Sequence, residues 1–338
     1  MAKNSLLELT CGEEMNEKDG NEFSRLANER ADQWKSLVID VEPWEAVLTR
    51  LRTYRPPKLE GLHVASWYCR KSREDEITLL GGDPAAGLKD FKLNRAVIQL
   101  ASLQLTGLEA LHLQELPQVS AVEIIVIIAE SPTLKVLYLS EVGTGAMPSQ
   151  AAAGQSSLAS HSPIRLPFLI NLHLRALPPP FLNLLLSILI VPQLCCLDIN
   201  CRLEEQPPAE FFAAGLVHLH PTLNSITSNC HKYEVSLSFW DSYDIHVGGL
   251  TLFIAFGRTC SITDHFQGAF NWLSSHLDVG LSDLPLHLNL QYCKTELPLL
   301  KWFTQRANVT ELTLAGEYPF DTPIRRPFPL LGYPTSPP

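Results

Sequence analysis

Pro180 to Cys201 reads PFLNLLLSILIVPQLCCLDINC and follows Leu177-Pro178-Pro179. Prolines suit a helix's first turn, where no backbone N–H is needed. The apolar run Phe181 to Val191 is long enough for about three helical turns. Pro192 then ends the helix, because it lacks a donor and pushes Val191 out of the α region. In Leu194-Cys195-Cys196-Leu197-Asp198-Ile199, Leu197 and Ile199 flank Asp198 with the period-two alternation of a short strand. The stretch predicts helix, proline turn, strand.

Other stretches share the form. Pro57-Lys58-Leu59-Glu60-Gly61-Leu62-His63-Val64, Pro132-Thr133-Leu134-Lys135-Val136-Leu137-Tyr138-Leu139 and Pro167-Phe168-Leu169-Ile170-Asn171-Leu172-His173-Leu174 each place a proline ahead of L-x-x-L-x-(aliphatic). Leu108, Leu111, Leu113 and Val309, Leu312, Leu314 are copies without the proline, and Trp34, Leu37, Ile39 form an early degenerate one. A period in the mid-twenties of residues is the mark of leucine-rich repeats, each a strand plus a helix. One unit cannot bury its apolar face alone, so units stack. The fold expected is α/β: an irregular leucine-rich-repeat solenoid with parallel strands on the concave face and helices on the convex face.

The organisation expected has three parts. Residues 1–30, with Glu13, Glu14, Glu17, Asp19 and Glu22, are a flexible acidic end leading into a helix near Asn21 to Trp34. Residues 31–317 are the solenoid, interrupted by a low-complexity insertion at 146–163. Residues 318–338 are a Pro-rich disordered tail. Pro43 to Thr53 and Phe266 to Leu277 read as helices. Val119 to Ala129 does too, because Ser120 and Glu123 make a capping box that outweighs the β-branched content. Ile77 to Leu80, and the alternating sets at Val235, Leu250 and Leu286, read as strands.

The composition narrows the function. Hydrophobic residues make up 46 % of the chain and charged residues 18 %, which describes a folded protein. A net charge of −10 argues against nucleic acid or an anionic membrane as partner. No apolar run is long enough to span a bilayer, and the N-terminus lacks the pattern of a signal peptide. A cytoplasmic or nuclear location with reduced thiols is expected.

Catalytic and metal chemistry find little support. Cys195, Cys196 and Cys201 with His218, His220, Cys230 and His231 lack the paired spacing of tetrahedral zinc ligands, so buried thiols are the plainer reading. No Cys–His pair is marked out as a nucleophile and base. Gly143-Thr144-Gly145 and Gly81-Gly82 lack phosphate-binding frames. No enzyme activity and no cofactor are expected. The position of the repeat's usual asparagine falls on Leu116, Val142, Leu177, Arg202 and Glu317, which excludes an Asn ladder and suggests packing there.

One slot recurs on each repeat strand just before its last aliphatic. It holds His63, His112, Tyr138, His173 and Asp198. On adjacent strands these residues make a continuous outward face, the candidate partner-binding surface.

The blocks Asn28 to Leu37, Pro57 to Leu62, Pro132 to Leu139 and Asn308 to Leu314 resemble the F-box proteins with irregular leucine-rich repeats that abound in mushroom-forming fungi. The resemblance spans about residues 23–316. It implies a substrate-recognition module of a ubiquitin ligase, whose separate F-box docks on a Skp adaptor and cullin. Residues 1–30 contain neither the Leu-Pro-x-Glu start nor the Cys-Arg-x-Trp helix of an F-box. Adaptor binding is therefore expected only if an F-box lies upstream, and the target protein is unknown. The alternative is a repeat-only scaffold or inhibitor without a ligase link, a truncated paralogue or a fragment.

Overall fold

A computed structural model describes residues 7–11, 33–40, 58–65, 87–96, 100–143 except 104 and 117, 162–203, 220–228, 231–238, 242–256, 262–277, 281–291 except 282, 301–303, 308–315 and a few positions between 18 and 29 and at 305. The expected helix at Pro43 to Thr53, the strand at Ile77 to Leu80, nearly all of the 146–163 insertion and the 318–338 tail lie outside these residues.

The chain is a mixed α/β fold dominated by one mostly parallel sheet. The first strands are β1 (Leu7–Cys11), β2 (Trp34–Asp40), β3 (Gly61–Ala65), β4 (Asp90–Asn94) and β5 (Ala110–Leu116). After α1 (Ala121–Ala129) come β6 (Val136–Val142), β7 (Ile164–Arg165) and β8 (Asn171–Arg175). Then follow α2 (Pro179–Ile188), β9 (Leu189–Ile190), β10 (Cys196–Leu203) and α3 (His220–Thr227). The last elements are β11 (Tyr233–Ser238), β12 (Ser242–Val247), β13 (Leu250–Phe256), α4 (Ile262–His276), β14 (Pro285–Gln291) and β15 (Asn308–Ala315).

From β1 to β10 each long strand lies beside the next in the chain, always parallel. The register is set by the leucines. Leu37, Leu62, Phe91, Leu111, Leu137, Leu172 and Leu197 pair across neighbouring strands, and so do Ile39, Val64, Leu93, Leu113, Leu139, Leu174 and Ile199. All are buried, in one core with Ile124 and Ile128 of α1 and Leu182 and Leu185 of α2. A one-residue slip would turn both rows to the open face, so burial locks the register.

Backbone groups repeat a second device at the strand mouths. Glu109 O accepts from Lys135 N at 2.7 Å and Val136 N at 3.1 Å, and Ile170 O accepts from both Cys195 N and Cys196 N. Lys35, Glu60, Lys89, Glu109 and Lys135 occupy this mouth in turn with alternating charge. Glu60 lies 3.9 Å from Lys35 and 3.5 Å from Lys89, and Glu109 lies 2.5 Å from Lys135. Such exposed pairs add little stability singly; they favour this strand order over others.

Four strands, β4, β5, β6 and β8, carry a left-handed residue at or near their C-terminal ends: Arg95, Glu115, Glu141 and Ala176, with φ of 56°, 52°, 52° and 48°. The residue after it is buried: Ala96, Leu116, Val142 and Leu177. The aliphatic turn positions noted in the sequence therefore pack inward.

Several boundaries differ from the sequence reading. Leu7–Cys11, within the stretch expected to be flexible, pairs with β2. The helix expected through Val191 stops at Ile188, because Leu189–Ile190 pairs with Ile164–Arg165 as a two-strand ribbon. The α1 helix and its capping box are as expected: Ser120 Oγ accepts from Glu123 N at 3.2 Å, and Glu123 Oε2 accepts from Ser120 N at 2.9 Å.

Beyond β10 the order changes to β10-β13-β12-β11-β14-β15. The strands expected at Val235, Leu250 and Leu286 are β11, β13 and β14. The unexpected β12 turns back antiparallel between β11 and β13. The Gly248-Gly249 hairpin joining β12 to β13 fits under α3. A Cβ on Gly249 would stand 2.0 Å from Cys195 O, and one on Gly248 2.6 Å from Ile226 O. Helix α4 covers this half of the sheet with an aromatic cluster in which Phe266 meets Tyr243 edge-on at 5.2 Å and Trp302 at 5.4 Å.

Candidate functional site

The face opposite the leucine rows carries the polar side chains of every strand. Residues there alternate with the buried leucines and are mostly half-buried. The central row runs Val38, His63, Lys92, His112, Tyr138, His173, Asp198, one residue per strand from β2 to β10. All five slots singled out in the sequence fall on it.

Four of those five touch in sequence along the row. The His112 and Tyr138 rings stack at 5.8 Å and 24°, and the Tyr138 and His173 rings meet at 5.9 Å and 43°. His173 Nδ1 lies 3.2 Å from Asp198 Oδ2. His63 stands apart, because Lys92 of β4 intervenes. Two strand steps separate His63 from His112, about 10 Å.

Arg175, two residues after His173 on β8, closes the cluster. Its Nε donates to Asp198 Oδ2 at 3.0 Å and its Nη2 to the same oxygen at 2.5 Å, while its guanidinium carbon lies 5.7 Å from the Tyr138 ring centre. Burial alone would raise the Asp198 carboxyl, but hydrogen bonds from His173 and Arg175 outweigh it and hold the group below the usual carboxylate range. The same pair raises the Arg175 guanidinium. Asp198 is 7 % exposed, so its charge is held by these two partners rather than by water.

Burial lowers the affinity of His63 and His112 for a proton, and the cation of Lys92 lowers it further. Lys92 is itself 3.3 Å from Asp90. This half of the face therefore presents flat imidazoles of lowered proton affinity beside one ion pair, Lys92 and Asp90.

The row continues past Asp198 as Thr251, His246, Glu234, His287 and Glu311. His246 Nδ1 lies 3.1 Å from Thr251 Oγ1, and His287 Nε2 lies 2.9 Å from Thr313 Oγ1. These members were not found from the sequence, nor was Lys92. Leu88-x-x-Phe91-x-Leu93 is a repeat copy with phenylalanine in place of leucine, which would have revealed β4. The meander, in contrast, follows no repeat spacing.

The described thiols differ in burial. Cys195 is exposed, Cys196 half-buried and Cys201 buried, and burial pushes the Cys201 thiol up to about 12. Among the described residues, no group of three or more His, Cys, Asp or Glu side chains is arranged to hold a metal ion, and no helix is long and apolar enough to cross a membrane.

No family model, curated protein or solved structure matches the chain.

Proposed function

We propose that the chain is a non-catalytic protein-binding module: an irregular leucine-rich-repeat solenoid resembling the substrate-recognition repeats of F-box proteins. The observation that carries this reading is the row His63, Lys92, His112, Tyr138, His173, Asp198, in register across adjacent parallel strands on the face opposite the core. Aromatic and amphipathic side chains fixed by a rigid sheet lose little entropy on docking, a property of contact surfaces. The L-x-x-L-x-L pattern and the strand-by-strand stacking support the solenoid part of the reading.

The test is affinity capture with the full chain from a fungal lysate, compared with a variant carrying alanine at His63, His112, Tyr138, His173 and Asp198. Specific partners should be lost from the variant while its melting transition stays cooperative. Partners retained through all five changes would sink the binding-face assignment.

A ligase receptor would also bring Skp adaptor and cullin with it, provided an F-box is joined to this region. A scaffold or inhibitor without them is the second reading. What favours it is that Leu7–Cys11 forms a strand of the main sheet rather than part of a helical adaptor-binding module.

A further inference from the structure

The open face has two chemically different halves. On the open face, strands β2 to β6 and β8 carry Asp40, Asp90, Lys92 and Arg175, so acids and cations balance there, with Lys92 matched to Asp90 and Arg175 to Asp198 at the boundary. Strands β11 to β15 contain no lysine or arginine, and Lys232 stands one residue ahead of β11. Their three acids, Glu234, Asp244 and Glu311, all fall on the open face.

These carboxylates have histidines for company. His287 Nδ1 is 3.9 Å from Glu234 and 3.7 Å from Glu311, while burial, with the nearby acids Asp198 and Glu234, pushes the Asp244 carboxyl up. The next row adds Phe253, half-buried and in register with Asp244, and Asn289, whose buried Oδ1 has no donor among the described groups. A ring beside a carboxylate suits a cation on a long stem. A strand step of about 4.8 Å puts Glu234 and Glu311 about 10 Å apart, and Asp244 extends the series on the other side. Alternate residues of an extended chain advance about 6.6 Å, so basic side chains on such a segment can reach successive carboxylates.

We infer that the face binds an extended protein segment that is electrically polar, with its lysine or arginine side chains over β12, β11, β14 and β15 and its uncharged part over the charge-balanced imidazole half at β3 to β6. This rests on the protein-binding reading above and adds the partner's chemistry and direction. Charge complementarity selects the occupant. The acidic half meets cations, and the net charge of −10 favours encounter with a basic segment at low salt.

The test uses the full chain and two labelled peptides of equal length. One has lysine and arginine alternating with serine over its C-terminal half. The other has glutamate at those positions. Binding is read by fluorescence anisotropy at two salt concentrations, on the native protein, on the triple variant Glu234→Gln, Asp244→Asn, Glu311→Gln, and on the five-alanine variant described above. The basic peptide should bind at least tenfold more tightly than the acidic one. The triple variant should lose most of that difference and of its salt dependence, with an unchanged circular dichroism spectrum.

Equal affinity for the two peptides, or a triple variant that binds like the native chain, overturns the inference. The protein-binding reading is separable. If natural partners are lost from the five-alanine variant while the peptides show no charge preference, binding stands and the polarity falls. If a single-carboxylate variant, Glu311→Gln, already abolishes the preference while the fold is intact, the polarity holds and its centre is β15.

Discussion

Asp198 lies one strand from His173 with their side chains 3.2 Å apart, and Arg175 grips the same carboxylate oxygen from the same neighbouring strand. The acid is thus the stop at one end of the stacked rings His112, Tyr138 and His173. Because its carboxyl is held below the usual range, the pair stabilises the fold above pH about 4, and the contribution is lost as pH falls through the lowered folded value. Asp198→Asn should cost about 1–2 kcal/mol near pH 7. Its stability should also fall less between pH 5 and pH 3 than that of the native chain, in urea titrations at each pH. Parallel losses in the two proteins would show the carboxylate to be uncoupled from folding.

His63 and His112 are shifted in the same direction, but nearer neutrality. Their folded proton affinity is below the unfolded one, so they favour the fold above about pH 6.5 and withdraw that support as the pH falls through their lowered values. Lys92→Gln removes one cause while leaving burial in place. Histidine NMR titration should show both imidazoles moving upward in that variant. No movement would assign the shift to burial alone.

Gly249 packs against a carbonyl rather than a flexible side chain, so nothing there can yield. Gly249→Ala should destabilise by about 3 kcal/mol, at the upper end for overpacking. Gly107 provides the contrast: its φ is +83° but no atom lies within 4 Å of the position of a Cβ. Gly107→Ala should therefore cost only the conformational term, about 1–2 kcal/mol. Denaturant unfolding of the two variants separates collision from strain.

Ala176 holds a φ of 48° with an exposed side chain, and its N–H donates to Asn200 O at 2.7 Å. Glycine accepts that conformation without the left-handed penalty of about 1–2 kcal/mol, but loses about 0.5–1 kcal/mol through a freer unfolded chain. Ala176→Gly should stabilise by about 0.5 kcal/mol, visible as a small rise in melting temperature. A fall would mean that the turn is held by side-chain contacts instead.

The parts legible in the sequence are those where one leucine row serves one strand. Leu62, Leu111, Leu137, Leu172 and Leu197 gave both the strands and the outward slots between them, because period-two alternation fixes which side chains share a face. Phe91 hid β4, and with it Lys92, since an aromatic in a leucine slot weakens the repeat. Leu7–Cys11 was masked by the acids that follow it. The meander was legible as strands but not as an order: Gly248-Gly249 signals a hairpin, yet only packing under Ile226 and Cys195 decides which neighbour β13 joins. The acidic half of the face escaped notice for the same reason, since Glu234, Asp244 and Glu311 meet only through that order.

The meander also obeys an arithmetic of direction. Strands linked by hairpins alternate in heading, so only an odd number of them can be spliced between β10 and β14 without inverting all that lies beyond. Three strands do so, with β12 alone running backwards. Had the splice held two, β14 and β15 would point the other way. The return from β13 to β14 must also vault two strands instead of none. Helix α4, at 15 residues against 9 and 10 for α1 and α2, supplies about 22 Å of reach where those supply about 14–15 Å. The longer helix thus accompanies the wider crossing that a three-strand splice imposes.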